Sequence, residues 1–324
     1  MRIHVQTYPG NDRFTISPAQ WQSAAASAGE PAHKVTFGTT LADWAEARPA
    51  TELLVTHGAL LRGLAPLEGG PLQLVFVTNA GLDGLAPFGW LPPGVILLNN
   101  SGAHAPKAGE YIAMAVLMLA GRMPELLTSQ REQKWQPVFS APLAGRRVTI
   151  VGAGALGAAG ARALRALGVI ATGVRTHAVP HPDFADMVAV GDLDAVLARS
   201  EFLVLACPLT PATLHLLSSR RLGLLPKGAS VVNIGRGKLI DCDALCDLLD
   251  SGHLGGAVLD VTDPEPLPEG HRMWRTPNLV ITPHVSCDDP ASYNDRSLEI
   301  LFANLRVLRA GDPMPNRVDV ARGY

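Results

Sequence analysis

The chain reads as an α/β protein made of two Rossmann-like, doubly wound domains. Three observations carry that reading. Short apolar runs alternate with helical stretches along most of the chain, the pattern of a mainly parallel sheet. A glycine-rich segment, Val151-Gly152-Ala153-Gly154-Ala155-Leu156-Gly157, joins one such run to a helix. At 324 residues, 47% of them hydrophobic, the chain is long enough for two full cores.

Taken in order, Met1-Arg2-Ile3-His4-Val5 opens as a strand. Residues 51–56, 72–77 and 95–99 are further short strands, the first two followed by Gly-rich turns. The spacing predicts a helix over 109–121, apolar on most faces and so either buried or part of an oligomer interface. Residues 124–142 are more polar and read as an exposed arm. From Arg147 the pattern is strand 147–151, glycine turn, helix 155–167 ended by Gly168, and strand 169–174. More strands are expected at 202–206, 230–234, 256–259 and 279–281. A last helix at 291–309 is expected to return to the N-terminal domain.

Bulk properties exclude several functions. A net charge of −2 without a Lys/Arg run speaks against nucleic-acid or membrane-surface binding. The start lacks the apolar stretch of a signal peptide, and residues 111–120 are too short to span a bilayer of about 30 Å. Four cysteines without a C-x-x-C pair suit a reduced cytoplasm. Cys242 and Cys246 share one helix face as packing residues, and no metal site is expected because no nearby His or Cys completes one.

The glycine segment has the context that a dinucleotide site requires: a strand before it, a helix after it, and a second strand ending near Arg175. Gly152 permits the tight turn, Gly154 lets backbone approach the pyrophosphate, and Gly157 allows close helix–sheet packing. The helix start at Ala155 and Leu156 offers N–H groups to the phosphates. An NAD site usually carries Asp or Glu where the second strand ends. Here Arg175-Thr176-His177 stand there, and the first carboxylate is Asp183. Arg175 can neutralise a 2′-phosphate, so NADP(H) is expected over NAD(H), with NAD(H) use still possible.

Three later segments each come after a strand-like run: Asn233-Ile234-Gly235-Arg236-Gly237, Asp263-Pro264-Glu265-Pro266 and Thr282-Pro283-His284. Reduction of a 2-keto acid needs a cation for the carboxylate, an acid for the carbonyl oxygen, and a partner that keeps the acid protonated. The guanidinium of Arg236, the imidazole of His284 and the carboxylate of Glu265 supply these in turn. Taken singly, each also fits a plain structural or surface role.

With these segments in view, the chain resembles the D-2-hydroxyacid dehydrogenase family over nearly its whole length. The resemblance rests on Asn79-Ala80-Gly81-Leu82-Asp83, Gly109-Glu110-Tyr111, Cys207-Pro208-Leu209-Thr210-Pro211-Ala212-Thr213, Asn233 through Gly237, Asp260-Val261 with Glu265-Pro266-Leu267, Pro277-Asn278-Leu279 through His284, Asn304-Leu305 and Gly311-Asp312-Pro313. It implies an NAD(P)-binding domain over 101–287, inserted into a smaller flavodoxin-like substrate domain of 1–100 plus 288–324, with the active site in the cleft. It further implies that Arg236 binds substrate, Glu265 tunes the acid and His284 donates the proton. The backbone of Asn79, Ala80 and Gly81 would hold the substrate carboxylate. Cys207, Pro208 and Thr213 would lie beside the nicotinamide ribose, with Asp260 on its carboxamide, and Thr176 would join Arg175 at the cofactor.

The implied activity is hydride transfer between NADPH and a small 2-keto or 2-hydroxy acid of the glyoxylate or hydroxypyruvate type, in a cytoplasmic homodimer. Phosphoglycerate or phosphite as substrate, and a nucleotide-sensing corepressor on the same fold, are the alternatives. A formate dehydrogenase would call for glutamine at Glu265. Asn79 in place of glycine, the acidic stretch Ser286-Cys287-Asp288-Asp289-Pro290 and the stretch Ser101-Gly102-Ala103-His104-Ala105-Pro106-Lys107 depart from the family pattern. His57 ends a strand, and two readings stand for it: a pocket residue or an ordinary turn histidine.

Overall fold

The computed structural model describes residues 1–7 and 15–323, which divide into two compact units. Unit 1 comprises Met1–His104 and Asp288–Tyr324; unit 2 comprises Ala105–Cys287.

Unit 1 is a five-stranded, wholly parallel sheet in the order β2-β1-β3-β4-β5, the flavodoxin-like order. Its strands are β1 (Arg2–Gln6), β2 (Lys34–Gly38), β3 (Leu53–Thr56), β4 (Leu74–Val77) and β5 (Ile96–Leu98). The helices are α1 (Pro18–Ala28), α2 (Leu41–Ala47), α3 (Gly58–Leu64) and, from the C-terminal stretch, α10 (Tyr293–Ala310). Strand side chains alternate between two cores, as a pleat requires. Ile3, Val5, Leu53, Val55 and Phe76 meet Trp21 of α1 and Leu298, Leu301, Phe302 and Leu305 of α10. Leu54, Val75 and Val77 meet Trp44, Leu61 and Leu64 on the other face. The last helix therefore belongs to the N-terminal unit, as expected. Asp289 fixes the turn into it, accepting the Ala291 N–H at 3.2 Å and the Ser292 hydroxyl, which gives the acidic stretch a structural task.

Unit 2 is a seven-stranded parallel sheet in the order β12-β11-β10-β9-β6-β7-β8. The strands are β6 (Arg147–Val151), β7 (Ile170–Arg175), β8 (Asp186–Ala189), β9 (Phe202–Leu205), β10 (Ser230–Asn233), β11 (Gly256–Leu259) and β12 (Leu279–Ile281). Its helices are α4 (Ala105–Ala120), α5 (Met123–Arg131), α6 (Ala155–Arg165), α7 (Leu193–Leu197), α8 (Ser219–Leu222) and α9 (Cys242–Asp250). The central strands are buried on both faces, which is why they read as unbroken apolar runs. Val148, Ile150, Val204, Val232 and Val258 face α4 and α6; Val151, Leu203, Leu205, Val231 and Leu259 face α7, α8 and α9. Cys246 lies in the second of these cores, and both Cys242 and Cys246 are free thiols on α9.

Two expectations are corrected. α4 begins at Ala105, not Gly109, because Pro106 in the first helical turn needs no N–H donor there. Gly109 is an interior packing glycine instead: a Cβ there would lie 3.0 Å from the Ala159 carbonyl oxygen of α6. Residues 124–142 are not all arm. Met123–Arg131 is helical, with Pro124 and Glu125 in its first turn and Arg131 in its last. Only residues 132–142 are irregular, and they carry the exposed Trp135 and Phe139. No single helix among the described residues is long and apolar enough to cross a membrane.

Candidate active site

Because every strand of unit 2 runs the same way, all the segments singled out in it emerge at one edge of one sheet. His284 comes after β12, Asp260 and Glu265 after β11, Arg236 after β10, Cys207 after β9 and Gly152 after β6, and Arg175 ends β7. The C-terminal edge of a doubly wound sheet is where such folds place ligands. The sheet order puts the Arg, Glu and His segments on three neighbouring strands and the glycine segment two strands further along.

At the β6–β7 end the backbone dominates. Gly152 has φ +100°, and a Cβ on it would sit 2.5 Å from the Cys207 nitrogen. A Cβ on Gly157 would sit 2.1 Å from the Gly152 carbonyl oxygen, so α6 could not dock with any side chain there. Gly154 differs: it is exposed, has φ −90°, and a Cβ would meet nothing within 4 Å. Packing among the described residues therefore does not require a glycine there. The first intrahelical bond of α6 is Ala158 N–H to the Gly154 carbonyl, at 2.8 Å, so the N–H groups of Ala155, Leu156 and Gly157 precede the hydrogen-bond ladder. Two packing glycines, one open glycine and a helix N-terminus fit a dinucleotide pyrophosphate.

Arg175, Thr176 and His177 are all exposed. Asp183 is spoken for: its carboxylate takes the Arg162 guanidinium at 3.1 and 2.6 Å, and Arg165 stands 3.7 Å away. The bonded Arg162 holds the Asp183 carboxyl below its ordinary range. No carboxylate in the stretch from Arg175 to Asp183 is thus left for a ribose diol. Beside the fingerprint, burial pushes the Cys207 thiol up to about 11, which makes it a neutral wall rather than a nucleophile. Thr213 closes its own loop, its hydroxyl bonding the Pro208 carbonyl at 2.8 Å and receiving the Thr210 N–H at 2.8 Å.

At the β10–β12 end side chains dominate. The buried Asn233 shapes the arginine loop, its amide donating to the Arg236 carbonyl at 2.9 Å and accepting from Gly235 N–H at 3.0 Å. The Arg236 guanidinium donates to the Gly235 carbonyl at 2.8 Å. Gly237 lets this loop lie on the next one, since a Cβ there would stand 2.0 Å from the Thr262 carbonyl oxygen. His284 Nδ1 lies 2.6 Å from Glu265 Oε1. Both side chains are substantially exposed, 51% and 40%, and a pair so open to water contributes at most about 1 kcal/mol to folding. Stability therefore does not explain its short geometry. With Nδ1 committed to the carboxylate, Nε2 is the ring atom left to exchange a proton.

His284 is held in the left-handed region, φ +54°, which costs a residue with a Cβ about 1–3 kcal/mol. The surroundings impose it. Its N–H is shared between the carbonyls of Asp260, 2.9 Å, and Thr282, 3.0 Å. The Asp260 carboxylate, 1% exposed, takes the Thr282 hydroxyl at 2.6 Å and the N–H groups of Val285 and Ser286 at 2.9 and 3.0 Å. Asp260 was expected at the nicotinamide carboxamide; within the chain it is the anchor of the histidine turn. That anchor was missed from sequence, although Thr282 stands in the Thr-Pro-His segment.

In unit 1, the Asn79 side chain is also committed. Its Oδ1 accepts the Gly58 N–H at 2.6 Å, which aims its amide nitrogen at His57 Nε2, 3.0 Å away. Burial lowers the His57 pKa. His57 caps α3, with Nδ1 placed 3.3 Å from the Ala59 N–H, so the turn-histidine reading describes it. Of the 79–81 loop, the backbone and not the Asn79 side chain is what remains for a ligand.

Comparison with known proteins agrees with this geometry. The family model described as D-isomer specific 2-hydroxyacid dehydrogenase, NAD binding domain, matches residues 113–286. Glyoxylate/hydroxypyruvate reductase A of Salmonella typhi is 32% identical over 266 residues, 80% of this chain and 84% of that one. A D-isomer specific 2-hydroxyacid dehydrogenase from Xanthobacter autotrophicus Py2, solved with NADPH and MES, superposes with a TM-score of 0.79 at 28% identity, covering 99% of both chains. An NADPH-dependent glyoxylate/hydroxypyruvate reductase from Sinorhizobium meliloti, solved with NADP and sulfate, gives 0.77 at 26% identity over 100% of both. Matched by the family model over more than half its length, and by a curated relative over four fifths of it, this chain belongs to the D-isomer specific 2-hydroxyacid dehydrogenase family.

Proposed function

We propose that the protein is an NADPH-preferring reductase of small 2-keto acids of the glyoxylate or hydroxypyruvate type. The observation that carries the reading is the 2.6 Å contact between Glu265 and His284, at the strand edge shared with Arg236 and the glycine fingerprint. The names of the relatives support the substrate class, and the NADPH and NADP in the solved relatives support the cofactor. Arg175 at the end of β7, with Asp183 already paired to Arg162, supports NADPH over NADH.

The bound nicotinamide would supply the hydride. The chain's own residues do the rest. Arg236 binds the substrate carboxylate and polarises the neighbouring carbonyl, because a guanidinium keeps its charge and bonds bidentately. The backbone of Ala80 and Gly81 is a further carboxylate ligand by family resemblance. His284 holds a proton at Nε2 and delivers it to the carbonyl oxygen as negative charge develops there. Glu265 accepts from Nδ1 and fixes the orientation of the ring. Unit 2 is then the coenzyme domain and unit 1 the substrate domain.

A homodimer belongs to the same reading. It is supported by a concentration of exposed apolar side chains in one stretch of unit 2: Met114, Leu117, Met123, Trp135 and Phe139. Sedimentation of the wild type against Trp135→Glu/Phe139→Glu checks it; a dimer that becomes monomeric is expected.

The direct test of function is the initial rate of NADPH and NADH oxidation with glyoxylate, hydroxypyruvate, pyruvate and phenylpyruvate. Turnover with the two smaller, oxygenated acids and NADPH is expected. Tight NADPH binding without turnover on any of the four would overturn the reading.

A further inference from the structure

Tyr111, Thr282 and Asp260 form a chain of hydrogen bonds whose direction is set by the chemistry of the groups. Thr282 Oγ1 lies 2.6 Å from Asp260 Oδ1 and 2.6 Å from the Tyr111 hydroxyl. A carboxylate only accepts, so the single hydroxyl proton of Thr282 goes to Asp260. Tyr111 must then donate to Thr282. Burial in the core under α4 pushes the Tyr111 hydroxyl up to about 12, so it stays a donor at any pH where the enzyme works.

From Asp260 the chain passes into the backbone around His284. The Asp260 carboxylate takes the N–H groups of Val285 and Ser286, and its carbonyl takes that of His284. The amides of three consecutive residues, beginning at the histidine with positive φ, thus hang on one aspartate. Thr282 holds that aspartate from the near side of the turn, and Tyr111 holds Thr282. Tyr111 lies near Ala105, where the chain enters unit 2, and Thr282 lies near Cys287, where it leaves. Their bond ties the two crossing segments together inside unit 2.

We propose that Tyr111 and Thr282 are positioning residues for the reaction: acting through Asp260, they hold the turn that aims His284. The inference rests on the reading of His284 as proton donor. It assigns neither residue to the substrate or the cofactor. It accounts for a buried tyrosine on an otherwise aliphatic helix face, and for a threonine with a hydroxyl committed on both sides.

The test is steady-state kinetics of Thr282→Val, Thr282→Ser and Tyr111→Phe with NADPH and glyoxylate, alone and in a His284→Ala background. Thr282→Val keeps the shape and removes the hydroxyl. It is expected to lose about 10²-fold in kcat, the cost of an ångström-scale misplacement, with both KM values within about threefold. Thr282→Ser is expected to recover most of that loss. Tyr111→Phe, which leaves the Thr282–Asp260 bond in place, is expected to lose about tenfold. In the His284→Ala background neither change is expected to lower the residual rate further, because residues acting as one unit are not additive.

A folded, NADPH-binding Thr282→Val at full rate, with His284→Ala collapsed, overturns the inference alone. So does Thr282→Val lowering the His284→Ala rate by the same factor as in the wild type. His284→Ala retaining most of its rate overturns the proton-donor reading and this inference with it.

Discussion

The two ends of the unit 2 sheet edge solve different problems with different parts of the amino acid. Around β6 and β7 the working parts are missing atoms: no Cβ at Gly152 or Gly157, because backbone lies about 2–2.6 Å away, and none at Gly154, where space is left open. Around β10 to β12 the working parts are side-chain termini on turns whose shape other side chains impose: Asn233 for the arginine loop, Asp260 for the histidine turn. The contrast between the two acids after β11 makes the same point more finely. Asp260 is 1% exposed and accepts from three groups of its own chain; the Glu265 side chain is 40% exposed and meets one imidazole. The buried acid holds a turn of its own chain, and the open one is the acid proposed to act on the reacting imidazole.

The largest effect expected from this contrast is at His284. His284→Ala should cost about 10²–10⁴-fold in turnover, the contribution of a positioned acid, while NADPH affinity measured by fluorescence stays near wild type. Equal losses in both would mean that the two ends are not separable.

The glycines sharpen the comparison further. Gly157→Ala should destabilise unit 2 by about 1–3 kcal/mol through overpacking, seen as a lower melting temperature. Gly154→Ala, in open space with an ordinary φ, should leave the melting temperature unchanged and weaken NADPH binding alone. If both glycines behaved alike in both assays, the distinction between packing and ligand glycines would fail.

Arg175→Asp should weaken NADPH binding by about ten- to hundredfold, the loss of a charge-assisted phosphate contact, and improve NADH use. An unchanged NADPH:NADH ratio would remove Arg175 from the site. Glu265→Gln should lower turnover while NADPH affinity stays near wild type, because the ring loses the carboxylate that holds it at Nδ1.

The smallest effect concerns stability. His4 is buried in unit 1, with its ring between Thr36 and Gln6 at 2.8 Å each. Burial lowers its pKa below the ordinary 6.5. The unfolded chain therefore binds the proton first, so this contribution is complete above pH 6.5 and is lost as pH falls below it. His57, in the same unit, shifts in the same direction. Unit 1 should lose its hydrogen-exchange protection on acidification before unit 2 does; the reverse order would contradict the assignment.

Much of this was legible in the letters. Strands buried on both faces appear as unbroken apolar runs, and glycines forced by backbone contact stand out at fixed spacing, so β6, β7, β9 to β12 and the fingerprint could be read directly; β8, a part-exposed strand at the sheet edge, was not read. α4 was read too short because Pro106 looks like a boundary when it is only a first-turn residue. α5 was read as arm because a short polar helix has little periodicity to detect. The tie among Tyr111, Asp260 and Thr282 could not be read at all. Those residues are far apart along the chain, and only the parallel order of β11 and β12 beneath α4 brings them together. Asn79 shows the same limit: its amide was free to meet a ligand until the fold gave it Gly58 and His57.

The central claim, that this sheet edge reduces a small 2-keto acid with NADPH, is tested most directly by following NADPH and NADH absorbance with glyoxylate and hydroxypyruvate. The expected result is turnover with NADPH well above that with NADH. Firm NADPH binding with no consumption of either coenzyme would contradict it.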